Sequence, residues 1–217
     1  MIDHPLHIVD VRVICTAPDG VRLVIVKIET SEPGLYGVGC ATFTQRPLAV
    51  KTAVEEYLRP ILIGKDPDQI EDIWQSAYVS SYWRSGPVLN NALSGVDQAL
   101  WDIKAKRAGM PLYELFGGRC RRAADVYVHC AGPTIEALED VMRRRVEDGF
   151  RVLRANVPYE WAPYPEPVLR VGAHPSDRVG TDPPRWDAAA YCRAIPRLFE
   201  RLRGTFGEEI ELLHDVH

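Results

Sequence analysis

The sequence contains no apolar run approaching the roughly 18 residues of a membrane span, and its start, MIDHPLHIVDVRV, lacks a basic stretch followed by an apolar one. A soluble, cytoplasmic protein is therefore expected, with no membrane partner. It also lacks a cationic cluster: 26 Lys and Arg are scattered among 30 Asp and Glu, for a formal net charge of −4. Without a basic stripe there is no electrostatic footprint for nucleic acid. Cysteine is scarce and odd in number, with five widely spaced residues, Cys15, Cys40, Cys120, Cys130 and Cys192. No C-x-x-C or H-E-x-x-H spacing occurs, which argues against zinc, and the reading is of reduced core thiols rather than a disulfide frame.

What is present begins with a meander. LHIVDVRVICTA, VRLVIVKIET and LYGVGCATF are β-branched runs separated by Pro18-Asp19-Gly20 and Ser31-Glu32-Pro33-Gly34, which is turn chemistry. From Pro47 the period lengthens. Ala49, Ala53, Tyr57 and Leu58 have helical spacing, and Ile70, Ile73, Trp74 and Ala77 give a second helix. A third, PVLNNALSGVDQALWDIKAKRAG, has Pro87 in its first turn, Gly109 at its C-terminal cap and an apolar stripe of Leu89, Leu93, Val96, Leu100 and Ile103. Residues 1–120 thus read as an α+β domain, with MPLYELFGGRCRR as a hinge.

Residues 121–217 have a different rhythm. The strand DVYVHCA precedes a helix from about Thr134 to Glu147, then come the strand FRVLRAN, a helix from about Asp187 to Arg203, and the strand EIELLHDVH. Alternating strands and helices predict a parallel α/β arrangement, and Pro196 predicts a kink in the last helix. The proline-rich insertion at 157–185 is long for a structureless loop, so it reads as a lid over a site or as a mobile surface loop.

Each of these strands turns ionisable only near its end: His129 on the first, Arg154 and Asn156 on the second, Asp215 and His217 on the third. The carboxyl edge of a parallel sheet is where ligands bind. Taken singly, His129 could be a hydrogen-bonded rim residue and Arg154 half of a structural ion pair. Asp215 and His217 together are more informative, because two ionisable groups on one face of an apolar strand need compensating partners. A carboxylate there suits Mg²⁺, and a histidine one pleat further on suits an acid or base acting on a metal-bound substrate.

The order of these elements, with ALSGVDQALWDIKAKRAGMPLYELFGG, YWRSGPV, VYVHCAG and LLHDVH, resembles the enolase superfamily and, within it, the D-mannonate dehydratase family. The resemblance covers essentially the whole chain. It implies an α+β capping domain followed by an α/β (β/α) barrel of which only the first three strands are present. The implied reaction is Mg²⁺-dependent dehydration of a sugar acid, of D-mannonate or D-gluconate type, to a 2-keto-3-deoxy sugar acid. Carried over by motif, Asp215 is a metal ligand, His217 the acid for the departing hydroxyl, and His129 a substrate contact. Arg154 pairs with a tyrosine that acts as base, best aligned as Tyr164, with Tyr159 second.

Two positions depart from the family pattern. Thr44 stands where an asparagine that contacts substrate is usual, and the loop before Val157-Pro158 is a little shorter. A hydroxyl makes fewer hydrogen bonds than an amide, which argues against efficient mannonate turnover. The alternative is a weakly active or non-catalytic sugar-acid-binding or regulatory relative on the same scaffold. The resemblance further implies a homo-oligomer. It also implies that these 217 residues are a portion of a longer protein, unable alone to fold stably or to bind Mg²⁺ well, whose remaining metal ligands lie beyond His217.

Overall fold

The computed structural model describes residues 5–156 and 188–215. The chain forms two compact units, Met1–Cys120 and Arg121–His217.

The first unit is built on an antiparallel sheet of β1 (Ile8–Thr16), β2 (Leu23–Thr30) and β3 (Tyr36–Cys40), in that order. Alternation along β2 sends Val24, Val26, Ile28 and Thr30 inward. In β1 the register shifts between Ile8 and Asp10, so Ile8 and Val11 both reach the core despite their odd spacing. Helical chain then runs through α1 (Pro47–Thr52), a π-helical stretch Ala53–Leu58 and α2 (Arg59–Leu62). Next come α3 (Ile70–Val79), α4 (Pro87–Ala108) and α5 (Leu112–Leu115).

Helix α4 starts on Pro87 and stops at Gly109, whose φ of 65° permits the left-handed cap. Its Leu93, Val96, Leu100 and Ile103 are buried, but Leu89 is 40% exposed, so the predicted stripe stops one turn short. The helix lies very close to β3. A Cβ on Gly39 would stand 2.0 Å from the Gly95 carbonyl oxygen, and one on Gly37 1.9 Å from that of Ala99.

That contact also closes the edge of the sheet. The backbone groups of β3 that face away from β2 are met by side chains one helical turn apart on α4. Gln98 accepts from the Cys40 N–H at 3.1 Å and donates to its carbonyl at 3.3 Å. Asp102 accepts from the Val38 N–H at 2.9 Å, and Lys106 donates to the Tyr36 carbonyl at 2.7 Å. An edge strand left open would template pairing with another chain.

The second unit contains a parallel sheet of β4 (Tyr127–Ala131), β5 (Val152–Asn156) and β6 (Glu211–Leu213), in sequence order. Helices α6 (Ile135–Glu147) and α7 (Ala188–Phe206) pack on one face. Cys130, Leu153 and Ala155 from the strands meet Leu138, Met142, Leu198 and Leu202 there. Thr134 caps α6 by accepting from the Ala137 N–H at 3.2 Å. The helix α7 runs on through Pro196 and ends at Phe206, three residues beyond the predicted stop.

The cysteines need a correction. All five are free thiols, but only Cys130 is buried, while Cys15, Cys40, Cys120 and Cys192 are exposed. Cys15 and Cys40 sit at outward positions of alternating strands, where an apolar neighbourhood in sequence does not mean a core position in space. Among the described residues, no helix is long and apolar enough to cross a membrane.

Candidate functional site

In β4–β5–β6 the parallel register places His129 opposite Arg154, and Arg154 opposite Leu213. The side-chain period of two then puts Tyr127, His129, Arg154, Leu213 and Asp215 on one face, opposite to the face that α6 and α7 cover. Three of the sequence-predicted residues, His129, Arg154 and Asp215, are therefore together near the carboxyl edge. Tyr164, Tyr159, His217 and the 157–185 insertion lie outside the described residues. Thr44 is half-buried in the turn that follows β3, in the other unit.

Arg154 is the centre of the cluster. Its Nη1 lies 3.0 Å from Asp215 Oδ2, with both side chains largely sheltered, at 18% and 27% exposure. Its guanidinium carbon is 6.0 Å from the centroid of the Tyr127 ring, a cation over an aromatic face. Its Nε is buried and has no hydrogen-bond partner among the described residues. An unsatisfied buried N–H is costly, on the order of 1–3 kcal/mol, and in a native protein calls for an explanation. A ligand oxygen or a phenolate supplied to this face would satisfy it.

His129 stacks on Tyr127 with centroids 5.6 Å apart and planes 15° from parallel. Partial desolvation holds its pKa below the ordinary histidine value, the Arg154 cation pushes the same way, and the Asp215 carboxylate opposes them. At neutral pH it is thus an uncharged imidazole, able to donate one hydrogen bond and accept another. Such a ring suits a hydroxyl-rich ligand.

Sequence reasoning missed His214. Nothing in LLHDVH assigns it a role, although its odd offset from Asp215 sends it to the opposite face. There its Nδ1 meets the Ala155 carbonyl at 3.2 Å and its Nε2 pairs with the Tyr191 hydroxyl. Phe199 packs edge-on against the same ring at 6.1 Å.

Metal-binding capacity is narrow. Among the described residues no group of three or more His, Cys, Asp or Glu side chains converges, and Asp215 is the carboxylate paired with Arg154.

Residues 3–117 match the model of the mandelate racemase / muconate lactonizing enzyme N-terminal domain. The D-galactonate dehydratase family member RspA of Pantoea ananatis is 50% identical over 222 residues, covering 98% of this chain and 53% of its own. A D-galactonate dehydratase family member of Catenulispora acidiphila is 50% identical over 213 residues, covering 98% of this chain and 49% of its own. A crystal structure of an enolase from Pantoea ananatis with bound D-gluconate and Mg superposes with a TM-score of 0.81 at 49% identity, over 98% of this chain and 54% of that one. The chain spans about half the length of the curated relatives it matches.

Proposed function

The chain belongs to the mandelate racemase / muconate lactonizing enzyme family, in the enolase superfamily, and we propose that it serves the Mg²⁺-dependent dehydration of a sugar acid. Residues 3–117 are the N-terminal capping domain of that superfamily. The proposed substrate is a hexonate of D-gluconate or D-mannonate type, and the product a 2-keto-3-deoxy sugar acid. The D-gluconate and Mg held by the Pantoea ananatis relative, and the dehydratase family of the curated relatives, support this reading. The observation that carries it is Arg154, paired with Asp215 and holding a buried Nε–H that has no partner among the described residues, on the same sheet face as His129.

The residues present fit Mg²⁺ as part of a site. Mg²⁺ takes hard oxygen ligands, keeps several waters, and is held through one or two carboxylates together with substrate. Asp215 would be one of those ligands. Bound there, the ion would supply Lewis-acid stabilisation of the negative charge that develops on the substrate carboxylate.

This chain's own residues do the rest. Tyr164 is the proposed base, and a phenol with an ordinary pKa of about 10 needs a permanent cation beside it to ionise usefully at neutral pH. Arg154 is that cation, since a guanidinium does not lose its proton. His129, uncharged, binds a substrate hydroxyl, and Thr44 of the capping domain is proposed to bind another. His217 would give its proton to the hydroxyl that leaves C3.

Incubating the whole protein with Mg²⁺ and a panel of hexonates, then assaying for 2-keto-3-deoxy acid, tests the proposal. Product from gluconate or an epimer supports it. Silence across the panel removes the dehydratase reading and leaves a sugar-acid binder.

A further inference from the structure

His214 stands one residue before the proposed metal ligand and on the other side of the sheet. The β5–β6 ladder pairs Val152 with Glu211, Leu153 with Leu212 and Arg154 with Leu213, and there the strand β6 ends. Beyond it the backbone that carries Asp215 is held by a side chain. His214 Nδ1 lies 3.2 Å from the carbonyl of Ala155, the next residue along β5 after Arg154. Its Nε2 pairs with the hydroxyl of Tyr191, a residue only 6% exposed in the first turn of α7.

A carbonyl oxygen can only accept, so Nδ1 donates to Ala155, while Nε2 and the Tyr191 hydroxyl share the second hydrogen bond. One imidazole thus ties three elements, the end of β6, the end of β5 and the start of α7. Its half-buried ring is further confined between Tyr191, at 5.6 Å between centroids, and Phe199.

We propose that His214 is a positioning residue. By fastening the end of β6 to Ala155 and Tyr191, it holds the one stretch of backbone that presents Asp215 to Arg154 and to a divalent cation. The inference rests on the reading of Asp215 as a metal ligand, and it assigns His214 and Tyr191 a function that neither side chain performs by touching substrate. A support group of this kind is worth about 10–100-fold in metal affinity.

The test uses the whole protein, with Mn²⁺ as the probe and its binding followed by electron paramagnetic resonance. His214→Leu, which loses both hydrogen bonds, should weaken Mn²⁺ binding by about 10–100-fold. His214→Asn keeps a donor near the Nδ1 position and should recover most of that affinity, while Tyr191→Phe should fall between. Unfolding midpoints are measured alongside. Loss of midpoint with unchanged Mn²⁺ affinity in His214→Leu, or equal loss of affinity in His214→Leu and His214→Asn, would overturn the proposal. If the unsubstituted protein binds no Mn²⁺, the metal reading itself fails. Asp215 positioning is then read from its carboxyl ¹³C resonance, which must move in His214→Leu and return in His214→Asn for the proposal to stand.

Discussion

Nη1 of Arg154 lies 3.0 Å from Oδ2 of Asp215, joining the middle strand of the second sheet to the residue two past the end of its neighbour. The pair is sheltered rather than buried, and its contact runs through Nη1, while Nε has no hydrogen-bond partner among the described residues. That is why charge alone does not describe the position. Arg154→Lys keeps the cation but loses the second donor of the planar fork. In the whole protein it is expected to lower kcat for sugar-acid dehydration by about 10²–10⁴-fold, the usual contribution of a positioned proton-transfer group. Steady-state kinetics checks this, and turnover equal to that of the unsubstituted protein would show that the charge alone suffices and that the fork of donors has no part in the reaction.

The close approach of α4 to β3 makes a second expectation sharp. With a Cβ on Gly39 placed 2.0 Å from a backbone carbonyl oxygen, Gly39→Ala cannot be absorbed by a side-chain rotation. The helix must move off the sheet, and the cost should be at least the roughly 1–3 kcal/mol typical of overpacking. Chemical denaturation should show this as a lower midpoint with an unchanged slope. Gly34→Ala is the control of the other kind: its added Cβ meets open space, so its penalty comes from the φ of 83° alone.

Gln98, Asp102 and Lys106 face the same strand from one helical surface, and each satisfies a backbone group of β3. Replacing Gln98 by Ala frees both the N–H and the carbonyl of Cys40. The loss of stability should be modest, about 0.5–1.5 kcal/mol per bond, because water can replace a partner at an exposed edge. The larger effect expected is self-association through the opened edge. Light scattering against concentration measures it; an unchanged monomer-to-aggregate ratio on heating would show that Gln98 does not protect the strand.

Helix α4 was legible in the sequence because Pro87 and Gly109 punctuate a long period, and both ends depend on local backbone chemistry. The meeting of His129, Arg154 and Asp215 was legible for a related reason: alternation along a strand is local, and parallel register brings like ends together. What could not be read was non-local. His214 owes its contacts to residues 59 and 23 positions away, and nothing in LLHDVH identifies them. The exposure of Cys15 and Cys40 likewise depends on which face of the sheet the helices cover, which a strand cannot declare by itself.

The link between α6 and α7 carries a pH dependence of determinate sign. Glu139 is buried, yet it is fully engaged: Arg201 Nε donates to Oε1 at 3.0 Å, Thr205 Oγ1 donates to the same oxygen at 3.1 Å, and Arg143 stands 3.7 Å from Oε2. The hydrogen bond from Arg201 holds its carboxyl below the ordinary glutamate range; burial opposes this, while Thr205 and the nearby arginine charges reinforce it. A carboxyl whose folded pKa lies below its unfolded one contributes stability that is complete above the unfolded value and is lost as pH falls through the folded value. The protein should therefore lose stability on acidification from about pH 5 to pH 3, more steeply than Glu139→Gln, whose amide does not titrate in that window. At neutral pH the same substitution should be destabilising, because an amide cannot match the charge-assisted hydrogen bond from Arg201, which keeps Glu136 as its remaining carboxylate. Denaturant midpoints taken at neutral pH and near pH 3 separate the two proteins: the difference must shrink with acid, and a gap that stays constant or widens would show that the native carboxyl of Glu139 is not held below its unfolded value.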